Sequence, residues 1–219
     1  MTKIIYYFIE IFSKSKARYP SQVKALSCLL HLYGLSLRCC ASFSGSSHES
    51  IRLWVNQIKM RVASLSAEGK GEHPFIALDE TWVKGVRVYI WGAIDIKTRE
   101  VIFLWASFRR REEEAEVFIS EVLRRCEGEP IFLVDRGPWY RCVLAFKGLK
   151  FINLTFGLRN YIEGFFRTLK ERARRFCLNF PGGMRRLREF LQLFKFWYNH
   201  LRIHLSLGQP PCPLKEVKT

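Results

Sequence analysis

Acidic residues are the scarce class in this chain. Its 219 residues hold 20 Asp and Glu against 36 Lys and Arg, a formal net charge of +16. A soluble protein this basic usually meets a polyanion, most often nucleic acid. CxxC pairs are absent. The seven cysteines include the adjacent Cys39 and Cys40, a poor start for a disulfide framework. Reduced thiols and an intracellular, cytoplasmic protein are the expectation. Long apolar runs are missing too. The stretch IIYYFIEIF at 4–12 is short, carries Glu10, and has no small-residue cleavage site after it. It reads as neither a membrane span nor a signal peptide. Neither GxGxxG nor GxxxxGK[ST] occurs, so nothing supports ATP or NAD use. What is present is ordinary for a globular chain: 48% hydrophobic and 26% charged residues. That composition excludes a disordered chain, a collagen and a disulfide mini-protein, and it allows one large domain or two small ones.

The charge is unevenly spread. Residues 1–73 hold 10 bases and 4 acids, 74–157 hold 13 and 12, and 158–219 hold 13 and 4. A nearly neutral centre therefore lies between two basic flanks, where phosphate contacts are expected.

Residues 1–66 read as a helical region. Pro20 and Ser21 open a segment with Val23, Leu26, Leu29, Leu30 and Tyr33 close to helical spacing, ended by Gly34. LSLRCCASF follows, then the turn-rich GSS at 45–47, then HESIRLWVNQIKMRV at 48–62. Three short helices with a tight turn before the last resemble a helix-turn-helix. Its last helix would turn Ile51, Trp54, Val55 and Ile58 inward and Glu49, Ser50, Arg52, Asn56 and Lys59 outward. Arg52, Asn56 and Lys59 are the candidate DNA contacts there. Residues 67–73 read as a polar linker.

From residue 74 the period changes. FIALDETWV (75–83), VRVYIWGAID (86–95) and EVIFLWASF (100–108) are β-rich runs with short connections, which predicts an antiparallel meander. An amphipathic helix over 110–125 follows. PIFLVD (130–135) then reads as a strand buried on both faces. A helix near 138–147, a strand at 149–154 and a long helix from about 159 complete the order βββαβαβα. That order is the one found in the RNase H-like fold. The expected architecture is thus α/β: a mixed five-stranded sheet flanked by helices over 74–210, a tail at 211–219, and the all-α region in front.

Three acids stand out by position. Asp79 ends FIAL, Asp135 ends IFLV, and Glu163 lies in the first turns of the long helix. Acids at the ends of buried strands are accessible to a cation, and Mg²⁺ prefers a few hard oxygen ligands. Two such ions activate an attacking hydroxyl and stabilise a leaving oxygen at a phosphodiester. Asp95 is the rival carboxylate and reads as a turn residue before KTR. Glu80 should point to the opposite face from Asp79. On the long helix, Ile162, Phe165, Phe166, Leu169, Ala173 and Phe176 form an apolar stripe. Arg167, Lys170 and Arg174 share the face of Glu163.

These segments resemble the DDE transposases of prokaryotic insertion sequences, closest to insertion-sequence family six. The resemblance is carried by ALDETWVKG, YIWGAID, VDRGPWY, FGLRNYIEGFFRTLKERARRF and FWYNHLRIHLSL, which together span about 75–210. It implies metal-dependent cleavage and strand transfer at transposon ends, without a covalent enzyme intermediate. Asp79, Asp135 and Glu163 carry over as catalytic, metal-binding acids, with Mg²⁺ or Mn²⁺ as cofactor, two ions in all. It also implies terminal repeats and target DNA as partners, a homodimer or higher assembly on DNA, and a place at the nucleoid. Two positions depart from the family pattern: Gly164 follows the acid where Arg is frequent, and Gly92 replaces a frequently basic position. A catalytically inactive, repurposed DNA-binding derivative is the alternative reading. An RNA–DNA hybrid nuclease also fits the core, but leaves the helix-turn-helix unexplained.

Other signals are weaker. His200 and His204 stand four apart, but no Cys or acid pair accompanies them as zinc ligands. Tyr140 and Tyr198 read as core rather than as recombinase nucleophiles. PGGMRRLREF opens a basic helix on which Arg185 and Arg186 are candidate phosphate contacts.

Overall fold

A computed structural model describes residues 2–13, 18–65, 70–83, 87–153, 157, 159–173 and 183–214. The chain forms two compact units: Met1–Glu68 together with Gln192–Thr219, and Gly69–Leu191. Among the described residues no helix is long and apolar enough to cross a membrane.

The first unit contains α1 (Thr2–Ser13), α2 (Ser21–Leu32), α3 (Leu37–Ser44) and α4 (His48–Leu65). The short apolar run at 4–12 lies within α1, whose Phe8 and Phe12 are buried. On α2 the buried stripe is Ala25, Cys28, Leu29 and Leu32, while Leu26 is half exposed. Of the expected stripe through Val23, Leu26, Leu29, Leu30 and Tyr33, only Leu29 is buried, so the stripe is rotated. Two buried polar residues explain the shift. Lys24 lays its stem inward, with Nζ 5.8 Å from the Phe12 ring centroid. Ser27 satisfies its hydroxyl by donating to the Val23 carbonyl at 2.7 Å.

Ser36 caps α3 by accepting from the Cys39 amide at 3.1 Å. Gly45, at φ +63°, makes the left-handed turn that ends α3. Ser47 then accepts from the Ser50 amide at 3.1 Å at the start of α4. Ile51, Trp54, Val55 and Ile58 are buried on α4, and Glu49 and Arg52 are exposed.

The C-terminal segment completes this unit. It contains the end of α8 (Gly183–Phe196) and a π-helical turn at Trp197–Leu201. Phe196 meets Phe8 edge-on at 6.2 Å, and the Tyr33 hydroxyl donates to the Leu201 carbonyl at 2.9 Å. Cys212 N donates to the Asn199 carbonyl at 2.8 Å. A single domain over 74–210 with a separate tail is thus not the division the contacts make. Among the described residues, those from Gln192 to Leu214 belong with the N-terminal helices.

The second unit runs β1 (Gly71–Glu72), β2 (Phe75–Val83), β3 (Val88–Asp95), β4 (Val101–Ser107), α5 (Glu112–Leu123), β5 (Cys126–Glu127), β6 (Ile131–Val134), α6 (Pro138–Phe146), β7 (Phe151–Asn153) and α7 (Arg159–Ala173). The first residues of α8 also belong to it. Part of the expected linker is ordered: β1 pairs in parallel with β5. The main sheet has the order β4-β3-β2-β6-β7. Its β2, β3 and β4 are antiparallel, and β6 and β7 continue in parallel. This mixed five-stranded sheet flanked by helices is the RNase H-like core.

Alternation along β2 sends side chains to two different layers. Ile76 and Leu78 join Trp91, Phe118, Phe132 and Tyr140 in the core under α5 and α6. On the other face, α7 buries Ile162, Phe165, Phe166 and Leu169, as the stripe predicts. Phe176 lies outside the described residues.

Candidate active site

In the sheet, the strand order reverses between β2 and β6. The chain leaves β2 toward β3 and β4, then crosses back to place β6 on the other side of β2. Crevices at the carboxyl ends of strands at such a point are where open α/β sheets take ligands. Asp79 is the central residue of β2, just past the part of that strand paired with β6, and Asp135 directly follows β6. The parallel register Ala77↔Leu133 makes the two acids neighbours on adjacent strands. Glu163 comes from the early part of α7. All three line one open cleft of about 620 Å³, together with Glu80, Thr81, Arg110, Phe166, Arg167, Lys170 and Glu171. Acids from the middle of β2, the end of β6 and one helix therefore share a cleft with the bases that follow Glu163 along α7.

Local contacts orient these acids. Asp79 Oδ1 accepts from the Glu80 amide at 2.9 Å. Asp135 Oδ1 accepts from the Gly137 amide at 2.8 Å. Gly137 is required by space: a Cβ there would lie 2.8 Å from Asp135 Oδ1 and 2.8 Å from the Trp139 ring. Ile162, the residue before Glu163, shares a small cavity with Ala77, Asp79, Leu133 and Asp135. The turn of helix that carries Glu163 is thus seated beside both strands.

Gly92 pairs with Asp79 across β2 and β3. A Cβ at Gly92 would lie 3.0 Å from Phe166 Cζ and 3.4 Å from Phe165 Cε1. The space that a side chain would take is filled by Phe166, one helical turn after Glu163. Phe165 and Phe166 meet edge-on at 5.1 Å. Gly164, in contrast, has nothing within 4 Å of its Cβ direction.

Glu80 follows the alternation toward α5 and α6, yet its carboxylate still reaches the cleft. Its side chain is 3% exposed, and Oε1 accepts from Arg110 Nη1 at 3.1 Å. Burial pushes its pKa up, Tyr140 opposes this, and the charge of Asp135 raises it further. The Tyr140 hydroxyl is itself pushed up by burial and by the Glu80 carboxylate. Sequence alternation alone hides this role for Glu80, and Arg110 sits in a charged run that carries no periodic signal.

Asp95 is the turn residue expected, and more. Oδ1 accepts from the Lys97 and Thr98 amides, both at 2.7 Å, while Oδ2 lies 3.0 Å from His73 Nδ1. Asp95 is fully buried and His73 nearly so. Burial raises the Asp95 pKa, but the His73 bond and the two amides outweigh it and hold the carboxyl below its usual range. His73 lies within the expected linker, so its partnership has no signature in sequence.

The remaining candidates separate. Arg167 and Lys170 line the cleft. Arg174 lies outside the described residues. Arg185 and Arg186 are exposed on α8, where Arg185 pairs with Glu189 at 3.2 Å, and neither lines the cleft. In the first unit, Arg52 pairs with Glu49 on the exposed side of α4, and Asn56 and Lys59 are half-buried on the same helix. His200 Nδ1 lies 2.6 Å from the Cys212 carbonyl, and the His204 ring packs on Tyr198. Tyr140 and Tyr198 are buried. Among the described residues no three His, Cys, Asp or Glu side chains form a closed metal-binding group. The three acids of the cleft nonetheless match a hard cation in kind, since Mg²⁺ needs only one or two carboxylates and completes its shell with water and phosphate.

No protein-family model matches the chain. Among solved structures, the catalytic core domain of BIV integrase superposes on 64% of this chain and 91% of its own, with TM-score 0.49 and 18% identity. The HTLV-2 integrase catalytic core domain, solved in complex with magnesium in a trimeric form, covers 66% of this chain and 97% of its own, with TM-score 0.46 and 16% identity. The uncharacterized protein aq_aa24 of Aquifex aeolicus is 33% identical over 92 residues, 42% of this chain and 71% of its own. The uncharacterized protein MJ0017 of Methanocaldococcus jannaschii is 34% identical over 189 residues, 83% of this chain and 87% of its own. With that identity over most of both lengths, the chain belongs to the same protein family as MJ0017.

Proposed function

We propose that this protein is a DDE-type transposase of the kind found in insertion-sequence family six, cutting and joining DNA at the ends of a mobile element. The observation that carries the reading is the convergence of Asp79, Asp135 and Glu163 on one cleft with a basic wall. Asp79, Asp135 and Glu163 would hold Mg²⁺ or Mn²⁺, two ions in all. The bound cations would activate the attacking oxygen and stabilise the leaving one. The chain's own residues do the rest. Arg167 and Lys170 give the DNA backbone a cationic track beside the acids. The Gly137 amide holds the Asp135 carboxylate in place. Phe166 and Ile162 seat α7, and with it Glu163. In the first unit, the α3–Gly45–α4 segment has the short glycine turn of a helix-turn-helix. Arg52, Asn56 and Lys59 of α4 then read terminal-repeat DNA. Arg174, Arg185 and Arg186 add phosphate contacts to that DNA or to the target. Pairing two element ends calls for a homodimer or higher assembly, acting at the nucleoid in the cytoplasm.

The test is a strand-transfer assay with full-length protein, duplexes carrying the element's terminal repeats, a target plasmid, and Mg²⁺ or Mn²⁺. Joined products are expected with the wild type, and none with Asp79→Asn, Asp135→Asn or Glu163→Gln. Full activity in any of these three variants overturns the assignment. End binding without any cleavage by the wild type favours the repurposed DNA-binding derivative instead.

A further inference from the structure

On the layer of Glu80, next to the cleft residue Arg110, the sheet carries aromatic chemistry that phosphodiester cleavage does not require. Trp82 and Tyr89 form a cross-strand pair at the end of β2, with ring centroids 4.7 Å apart. The Arg110 guanidinium carbon stands 5.3 Å from the Tyr89 ring centroid and 4.2 Å from that of Trp139. A ladder of ring, ring, guanidinium and ring therefore runs from the end of the sheet to the first turn of α6. Its cationic rung, Arg110, lines the same cleft as Asp79, Asp135 and Glu163.

The ladder is anchored and yet open. Arg110 Nη1 donates to the buried Glu80 carboxylate at 3.1 Å. A buried carboxylate that loses its cation is costly, so this pair fixes where the guanidinium stands. The Arg110 side chain is still 41% exposed, and Trp82 is 40% exposed. An Arg fixed at one nitrogen keeps further donors for a phosphate. An exposed indole beside it offers a face for a base. Inside a duplex both faces of each base are already stacked, so an unpaired base is the one best able to use that surface.

The geometry points to a stacking site for an unpaired DNA nucleotide, its base against Trp82 and Tyr89 and its phosphate on Arg110. The inference rests on the proposed reading of the cleft as a DNA-processing site. It adds that the strand end lying by the acids is bound unpaired.

The experiment is fluorescence anisotropy with the full-length protein and two labelled duplexes of one sequence, one blunt and one with a short unpaired 3′ overhang. The wild type should bind the overhang duplex about tenfold more tightly, the order expected for stacking of one base. Trp82→Ala should erase that preference. Arg110→Lys keeps a cation beside Glu80 but loses the guanidinium fork, and should reduce the preference. Phe146→Ala removes a ring that is 89% exposed elsewhere on α6 and should leave the preference intact. Equal wild-type affinity for the two duplexes overturns the site, and so does a preference that survives Trp82→Ala. Asp135→Asn separates this inference from the function it rests on. If the variant keeps the overhang preference and loses cleavage, both stand. If it keeps cleavage, the transposase reading fails while the stacking site is still decided by Trp82.

Discussion

Gly92 and Gly164 both depart from the transposase pattern in sequence, and the structure gives them opposite consequences. A methyl group at Gly92 would come within 3.0 Å of Phe166 Cζ and 3.4 Å of Phe165 Cε1. Comfortable carbon contacts fall at about 3.5–4.0 Å, so Phe166 would have to retreat by roughly 0.5 Å. It has little room to do so, being 4% exposed and wedged against Phe165. Overpacking of this kind costs about 1–3 kcal/mol. Replacing a strand glycine returns about 0.5–1 kcal/mol. The expected net loss for Gly92→Ala is therefore between about 0 and 2.5 kcal/mol. Gly164→Ala adds its methyl to open space within a helix and should gain about 1 kcal/mol. Urea unfolding followed by tryptophan fluorescence reads both, because Trp82, Trp91, Trp105 and Trp139 all lie in the second unit. The reasoning also requires that Gly92→Ala lower strand transfer by more than its stability loss explains, since Phe166 and Glu163 share a helix. A stabilised Gly92→Ala, or two variants that shift in the same direction, would refute it.

Two further outcomes follow from the contacts around Asp135 and Asp95. Gly137→Ala should displace Asp135 from its amide bond and lower cleavage by about 100-fold, measured by strand transfer with end binding as the control. Asp95→Asn should cost about 1–3 kcal/mol at neutral pH through the lost charged bond to His73. The folded carboxyl titrates below its unfolded value of about 4. The unfolded chain therefore takes up the proton first as pH falls, and wild-type stability declines from about pH 4 downward through the folded pKa. The gap between wild type and Asp95→Asn should close over that window in acid unfolding curves, and a gap constant down to pH 2 would contradict the pairing.

The strands of the meander were legible because β-rich runs end at turn signals. The run predicted at 75–83 is β2 residue for residue, and Asp135 directly follows β6, but Asp79 stands at the middle of β2 and not at its end, because Glu80–Val83 continue the strand by pairing with β3. The stripe of α7 was legible because Ile162, Phe165, Phe166 and Leu169 repeat at helical spacing and are all buried. The phase of α2 was not, because Leu26 is apolar but outward while Lys24 and Ser27 are polar but inward. Two-residue strands such as β1 have no period to read, and the His73–Asp95 pair spans 22 positions without a pattern. Alternation places Glu80 on the opposite layer from Asp79, but says nothing about how far a long side chain reaches. Spacing also cannot show that Phe166 needs the room left by Gly92, since that contact joins two layers distant in sequence.

The interleaving of the two units has a consequence for synthesis. The second unit is one continuous stretch, Gly69–Leu191, whereas the first is closed by residues from Gln192 onward. On the ribosome the sheet and its helices can assemble while Phe8 and Tyr33 still await Phe196 and Leu201. A nascent chain halted near Leu191 would therefore hold a complete sheet unit and an N-terminal helical bundle with part of its apolar surface uncovered. The N-terminal unit would be the last to mature, although it is the first to be made.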